Sequence, residues 1–290
     1  MAILELLQTE NDDFSSRYDA QMSIIESLPT LPDLVWELQA AIQSAETGTA
    51  EASIIVEEDP SLAANVLRLA NSVAFGAGES FISLQAAVTR IGMNELECLA
   101  NSILVIETFK EYGHSMDHKT FWGHNIEVAC AAEALADRFA EDITLMSKQA
   151  FMAGLMHDLG KLVLDQFFPE DFAQVQAYAK KEHILDHLAE RRILGMDHGE
   201  IFGRLIETWS FDDNIQEAVR YHHSAEQCDD AYVNDAELIR YADNIVHFRK
   251  NSIILDDAPT HQTFPMDLEE MSSLMVELDD AGTQRIGLLD

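Results

Sequence analysis

The chain is short of positive charge. Eighteen lysines and arginines face 52 aspartates and glutamates over 290 residues, a formal net charge of −34. Such a surface repels the phosphates of nucleic acids and anionic lipids, so direct nucleic-acid or membrane-surface binding is disfavoured. Phosphate-bearing small molecules are also repelled at long range unless a bound cation or a local basic group reverses the field. Cysteine is scarce too. Cys98, Cys130 and Cys228 are odd in number, widely spaced and never in a CxxC pair, which argues against a disulfide framework and fits a reducing, cytoplasmic setting. No run approaches the roughly 18 uninterrupted apolar residues of a membrane helix. The start, Met1-Ala-Ile-Leu-Glu-Leu-Leu-Gln8, lacks the basic region of a signal peptide. Strand patterns and internal repeats of about 20–50 residues are missing as well.

What is present is a core's worth of apolar residues, 47% of the chain, set at helical spacing, so the expected fold class is all-α. After an arm over residues 1–27, Leu28-Pro-Thr-Leu-Pro-Asp33 rules out a helix interior, and Asp33 can cap the helix that carries Leu34, Leu38, Ala41 and Ile42. Thr49 can cap a short helix through Val56. Asp59-Pro60 opens another with Leu62, Val66, Leu69 and Val73 inside. Ser83 opens a helix that Gly92 closes, and Asn94-Glu-Leu-Glu97 has a capping-box pattern for a long helix to about Phe109. A polar break over Lys110 to Lys119 precedes a helix from Phe121 to Phe139. Further helices are expected at Ser147 to Leu164, Asp171 to Leu194, Asp197 to Trp209, 212 to 223 and 235 to 249. The tail from Asn251 is acidic, with one amphipathic helix carrying Leu268, Met271, Met275 and Leu278.

The stretch Ser147 to Leu164 holds the densest chemistry. Gly154, His157, Asp158 and Lys161 fall at i, i+3, i+4 and i+7, which places an imidazole, a carboxylate and an ammonium in one line with close access at the glycine. A plain solvated helix face is the better explanation of such a stripe when it stands alone. Other residues add to it. His222 continues an apolar helix face set by Ile215, Ala218 and Val219. His198 sits in a first helical turn, where the macrodipole disfavours protonation and keeps the ring available as a ligand. Asp243 is flanked by apolar residues and needs a partner if buried, and His124 follows Phe121-Trp-Gly. The i, i+4 pairs His114/His118 and His183/His187 lie in polar or charged stretches, lack the glutamate of HExxH, and read as surface.

The ordered series His124, His157-Asp158, His198, His222-His223, Asp243 resembles the ligand series of the HD superfamily of metal-dependent phosphohydrolases. More narrowly, the chain resembles the HDOD (HD-related output domain) family from Leu28 to about Arg249. The marks are Leu28-Pro-Thr-Leu-Pro32, Glu58-Asp-Pro-Ser-Leu62, Leu67-Arg-Leu-Ala-Asn-Ser72, Ala87-Val-Thr-Arg-Ile-Gly-Met-Asn-Glu-Leu96, His157-Asp-Leu-Gly-Lys161, Gly195-Met-Asp-His198 and the run from Trp209 to His222-His223. The resemblance implies an amino-terminal helical subdomain over 28–110 packed on an HD-like subdomain over 120–250, followed by the acidic tail 251–290. It implies that His124, His157, Asp158 and Asp243 are HD metal ligands, that His198, His222 and His223 hold a further metal, and that Asp158 bridges the two. Lys161 matches the lysine that approaches phosphate, so Asp158 and Lys161 are the catalytic candidates. One or two divalent transition-metal ions (iron, manganese or zinc) suit that donor set. After His223 comes Ser-Ala-Glu-Gln-Cys-Asp-Asp, not the Asp-Gly-x-Gly-Tyr-Pro segment of HD-GYP phosphodiesterases, so cyclic di-GMP hydrolysis is not implied. The expected function is a cytoplasmic signal-transduction module acting on a signalling protein or a small phosphate-bearing ligand, with metal-dependent phosphohydrolysis as the alternative.

Overall fold

A computed structural model of the chain describes residues 14–20, 33–44, 48–71, 83–113, 115–209, 211–249 and 263–266, with 270, 273, 274, 276 and 278. The arm up to Asp13, the Leu28–Pro32 run, Val73, His114 and the tail positions Leu268, Met271 and Met275 lie outside them. The described residues form helices and no strand. Helix α1 spans residues 14–20; α2 is Asp33–Gln43, α3 Thr49–Glu57, α4 Pro60–Ala70, α5 Leu84–Ile91, α6 Met93–Phe109, α7 His118–Arg138, α8 Ser147–Met156, α9 Leu159–Phe167, α10 Pro169–Glu182, α11 Asp186–Leu194, α12 His198–Ile206, α13 Asp213–Tyr221 and α14 Val233–Arg249. None is long and apolar enough to cross a membrane. Two compact units result, Met1–Pro29 with Glu111–Leu268, and Thr30–Lys110 with Glu269–Asp290.

In the smaller unit, α2 to α6 close around Leu38, Val56, Leu62, Val66, Val88 and Leu99. Asp59 caps α4 as its sequence suggests, accepting a hydrogen bond of 2.8 Å from the amide of Leu62, with Pro60 in the first turn. Such a cap contributes about 1 kcal/mol. Two starts differ from the sequence reading. Gly48, not Thr49, is the N-cap of α3. Gly92, at φ 84°, both ends α5 and starts α6, which leaves the Asn94–Glu97 box without a role. A glycine at positive φ lets the chain redirect between two helices, and no side chain caps α6.

The larger unit is built on α7, which packs along α8 and α14, while α12 packs on α9 and α13. Gly154 serves that packing and not ligand access: a Cβ there would lie 2.8 Å from the Cα of Ala129 on α7. Two expected long helices are broken. The stretch Ser147–Leu164 divides into α8 and α9 at His157 and Asp158, because Nδ1 of His157 donates to the Gly154 carbonyl at 2.7 Å. In an unbroken helix that carbonyl would take the amide of Asp158. Beyond the break Gly160 lets α9 approach α12 so closely that a Cβ would sit 1.9 Å from the carbonyl oxygen of His198. The stretch Asp171–Leu194 divides into α10 and α11 at His183, whose φ of 56° ends α10 in a left-handed cap.

Candidate metal centre

Five segments deliver the candidate side chains to one place: α7 brings His124, the α8–α9 break His157 and Asp158, the first turn of α12 His198, the end of α13 His222 and His223, and α14 Asp243. The Asp197 capping box sets the start of α12, since Glu200 N donates to Asp197 Oδ1 and Asp197 N to Glu200 Oε2, both at 3.0 Å. Asp158 stands in the middle. Its Oδ1 lies 2.9 Å from Nε2 of His198 and 3.5 Å from Nε2 of His157. Its Oδ2 lies 2.8 Å from Nζ of Lys161 and 3.7 Å from Nε2 of His124. Asp243 Oδ1 lies 3.1 Å from Nε2 of His124 and 3.8 Å from Nε2 of His157. The His222 ring centroid is 5.3 Å from those of both His157 and His198, and His223 Nε2 is 3.2 Å from His198 Nε2. All seven residues predicted as metal ligands therefore converge, with Lys161 beside them.

The rings share a design. His157 and His222 each hold Nδ1 against a carbonyl three residues back, those of Gly154 and Val219, at 2.7 Å. A carbonyl only accepts, so Nδ1 carries the proton and Nε2 presents a lone pair to the cluster. Nδ1 of His198 is held in the same way by Glu190 Oε2, also at 2.7 Å. His157 Nε2, His222 Nε2 and Asp243 Oδ1 are buried without hydrogen-bond partners. Buried lone pairs facing one another with no donor between them are costly, and a divalent cation supplies what they lack. The donors fall into His198–His222–His223, His124–His157–Asp158 and His124–Asp243–His247 groups, each with its ligand atoms within 4.8 Å of one another. The residues present fit a metal ion.

Burial lowers the ring pKa of His157 to about 4 and of His222 to about 3, and holds His223 well below the ordinary range. These rings stay neutral, as ligands must. Burial pushes the Asp158 carboxyl up, but Lys161, His157 and His198 outweigh it and keep the group well below its usual range. Asp243 is likewise driven up by burial and brought well down by the His124 and His247 rings. His198 departs from the sequence reading. Burial opposes its charge and Lys161 repels it, but Glu190 and Asp158 lift it to about 10. Two buried carboxylates in contact with one ring overcome the helix dipole in the metal-free cluster, and a bound cation would have to displace the Nε2 proton for His198 to ligate.

Two further residues join the cluster. His187, read from sequence as surface, stacks on His223 with centroids 3.9 Å apart at 16°; the charged character of α11 concealed one inward-facing ring. His247 lies 3.2 Å from Asp243 Oδ1, and its i, i+4 spacing from Asp243 was the signal that could have found it. His183 is exposed, and His118 turns to the Gly113 carbonyl at 3.0 Å.

An all-helical unit with a histidine–aspartate cluster in this order is the arrangement that the resemblance read from the sequence implies. The HDOD domain model matches residues 28–225, and the chain belongs to the HDOD family. Two solved structures share the fold. One is a Marinobacter aquaeolei VT8 protein provisionally named for signal transduction, at TM-score 0.77 and 23% identity, covering 98% of this chain and 66% of that one. The other, from Shewanella amazonensis SB2B, is provisionally named a phosphohydrolase, at TM-score 0.73 and 24% identity, covering 93% and 98%. An uncharacterized protein of Treponema pallidum (strain Nichols) is 22% identical over 244 residues, 84% of this chain. The chain spans 46% of that relative's length.

Proposed function

We propose that this HDOD protein is a signal-transduction regulator that holds one or two divalent transition-metal ions, and that the loaded cluster governs contact with a signalling protein or a small phosphate-bearing ligand. The observation that carries this reading is the gathering of histidines around Asp158, with His157 Nε2, His222 Nε2 and Asp243 Oδ1 buried and lacking hydrogen-bond partners. His124, His157, Asp158 and Asp243 would hold one ion, and His198, His222 and His223 the other. Imidazole and carboxylate together suit iron, manganese or zinc. A bound ion would act as a Lewis acid and reverse the local negative field for a phosphate. The chain's own part is to fix the donors: Glu190 orients His198, the Gly154 and Val219 carbonyls orient His157 and His222, and Lys161 anchors Asp158. The signalling name of the Marinobacter protein supports the regulatory reading.

A metal-dependent phosphohydrolase is the second reading. Lys161, 2.8 Å from Asp158 Oδ2, places a cationic side chain beside the candidate bridging carboxylate, where an incoming phosphate would meet it. The phosphohydrolase name of the Shewanella protein points the same way. The deciding experiment is elemental analysis of protein purified without chelator, followed by hydrolysis assays on phosphodiesters and nucleotides. Bound metal without turnover supports regulation, and metal-dependent turnover selects the hydrolase. Protein that takes up no metal contradicts both.

A further inference from the structure

We propose that His247 is an additional metal ligand, forming with His124 and Asp243 an outer cation position on the solvent side of the cluster. The inference rests on the reading of the cluster as a metal site and adds a residue to it. Helix α14 presents Asp243 and His247 one turn apart, and the His247 side chain is 41% exposed while that of Asp243 is 9% exposed. The His124 and His247 rings stand 4.9 Å apart between centroids, at 40°. Between them lies Asp243 Oδ1, 3.1 Å from one Nε2 and 3.2 Å from the other.

Those separations suit donors around a common ion. Two ligand atoms each ~2.1 Å from a metal stand ~3.0 Å apart at a right angle and ~3.4 Å apart at a tetrahedral one. Hydrogen bonds also have such lengths, and both rings hold the Asp243 carboxyl down, so the glutamine variant below is what separates a ligand from a ring donor. His124 has one Nε2 lone pair to give, so an ion held here draws His124 from the inner His124–His157–Asp158 group. The outer position is therefore an alternative station on the solvent side and changes affinity more than the count of bound ions.

The test compares the wild type with His247→Ala and His247→Gln, each stripped of metal and titrated with Co(II), reading affinity and the visible absorption of the bound ion. Glutamine keeps a hydrogen-bond donor for Asp243 but is a poor ligand, so it rescues a purely positioning role and not a ligating one. Both variants are expected to weaken Co(II) binding and to alter the spectrum, since only the inner position remains. The thermal midpoint of the metal-free protein should fall more in His247→Ala than in His247→Gln, because the His247 ring helps to hold the buried Asp243 carboxylate. Wild-type affinity and spectrum in His247→Gln would overturn the proposal alone. Absence of Co(II) binding in all three proteins would overturn the metal-site reading and this one with it.

Discussion

Glu190 Oε2 accepts from both the backbone amide of His198, at 2.8 Å, and its ring Nδ1, at 2.7 Å, with both residues fully buried. One carboxylate thus fixes the position, tautomer and charge of the histidine that faces Asp158. Partners of this kind typically govern metal affinity by ~10–100-fold. Glu190→Gln, which keeps the shape and removes the charge, is expected to weaken metal binding within that range. Competition against a chromophoric chelator checks it, and equal affinities would show that Glu190 is only a structural partner.

The metal-free protein should be most stable near neutral pH. His157 and His222 have folded-state values of about 4 and about 3, below the roughly 6.5 of an unfolded histidine. As pH falls below about 6.5 the unfolded chain binds protons that the native rings refuse, so their contribution to stability is lost. His198 works in the opposite sense. Its value of about 10 gives stability that is complete below about 6.5 and lost as pH rises through 10. Thermal midpoints at pH 5, 7 and 9 on chelator-treated protein should therefore peak at pH 7; a midpoint that rises on acidification would contradict the buried, neutral state of His157 and His222.

Gly160→Ala should damage fold and site together. Its Cβ would lie 1.9 Å from the His198 carbonyl oxygen, a backbone atom that cannot move aside without shifting α12. Overpacking of this kind costs about 1–3 kcal/mol or more, and the shift carries His198 with it. Gly92→Ala is the comparison: nothing lies within 4 Å, but φ is +84° with ψ 161°, a region essentially reserved for glycine, so strain costs about 1–3 kcal/mol in the other unit. Denaturant unfolding and metal titration on both variants should show reduced stability in each and reduced metal affinity only in Gly160→Ala.

These contrasts also mark what was legible in the sequence. The Asp59 cap, the Asp197–Glu200 box and the buried stripes of α4 and α13 depend on neighbours a few residues away, and they stand as the sequence implies. The seven convergent site residues were named through a family resemblance, since no local rule brings His124 to Asp243. The break at His157 was missed because apolar spacing runs straight through it, and the break at His183 because that polar stretch holds no glycine or proline to end a helix. At His157 a side chain takes the helix's own carbonyl, and Gly160 meets a helix that follows some 40 residues later. The charge of His198 and the inward turn of His187 depend on Glu190, Asp158 and His223, tertiary neighbours that periodicity does not contain.

The central claim is that Asp158 joins the histidine groups into a metal site. Asp158→Ala removes both oxygens that face the rings and leaves Lys161 without its carboxylate partner. The most direct measurement is metal stoichiometry on the wild type and Asp158→Ala, purified in parallel without chelator and read with the thermal midpoint. The account predicts one or two transition-metal ions in the wild type and little or none in the variant. Its midpoint should be lower, because a ligand that binds only the folded state stabilises that state. Equal metal content in the two proteins, or none in the wild type, would contradict it.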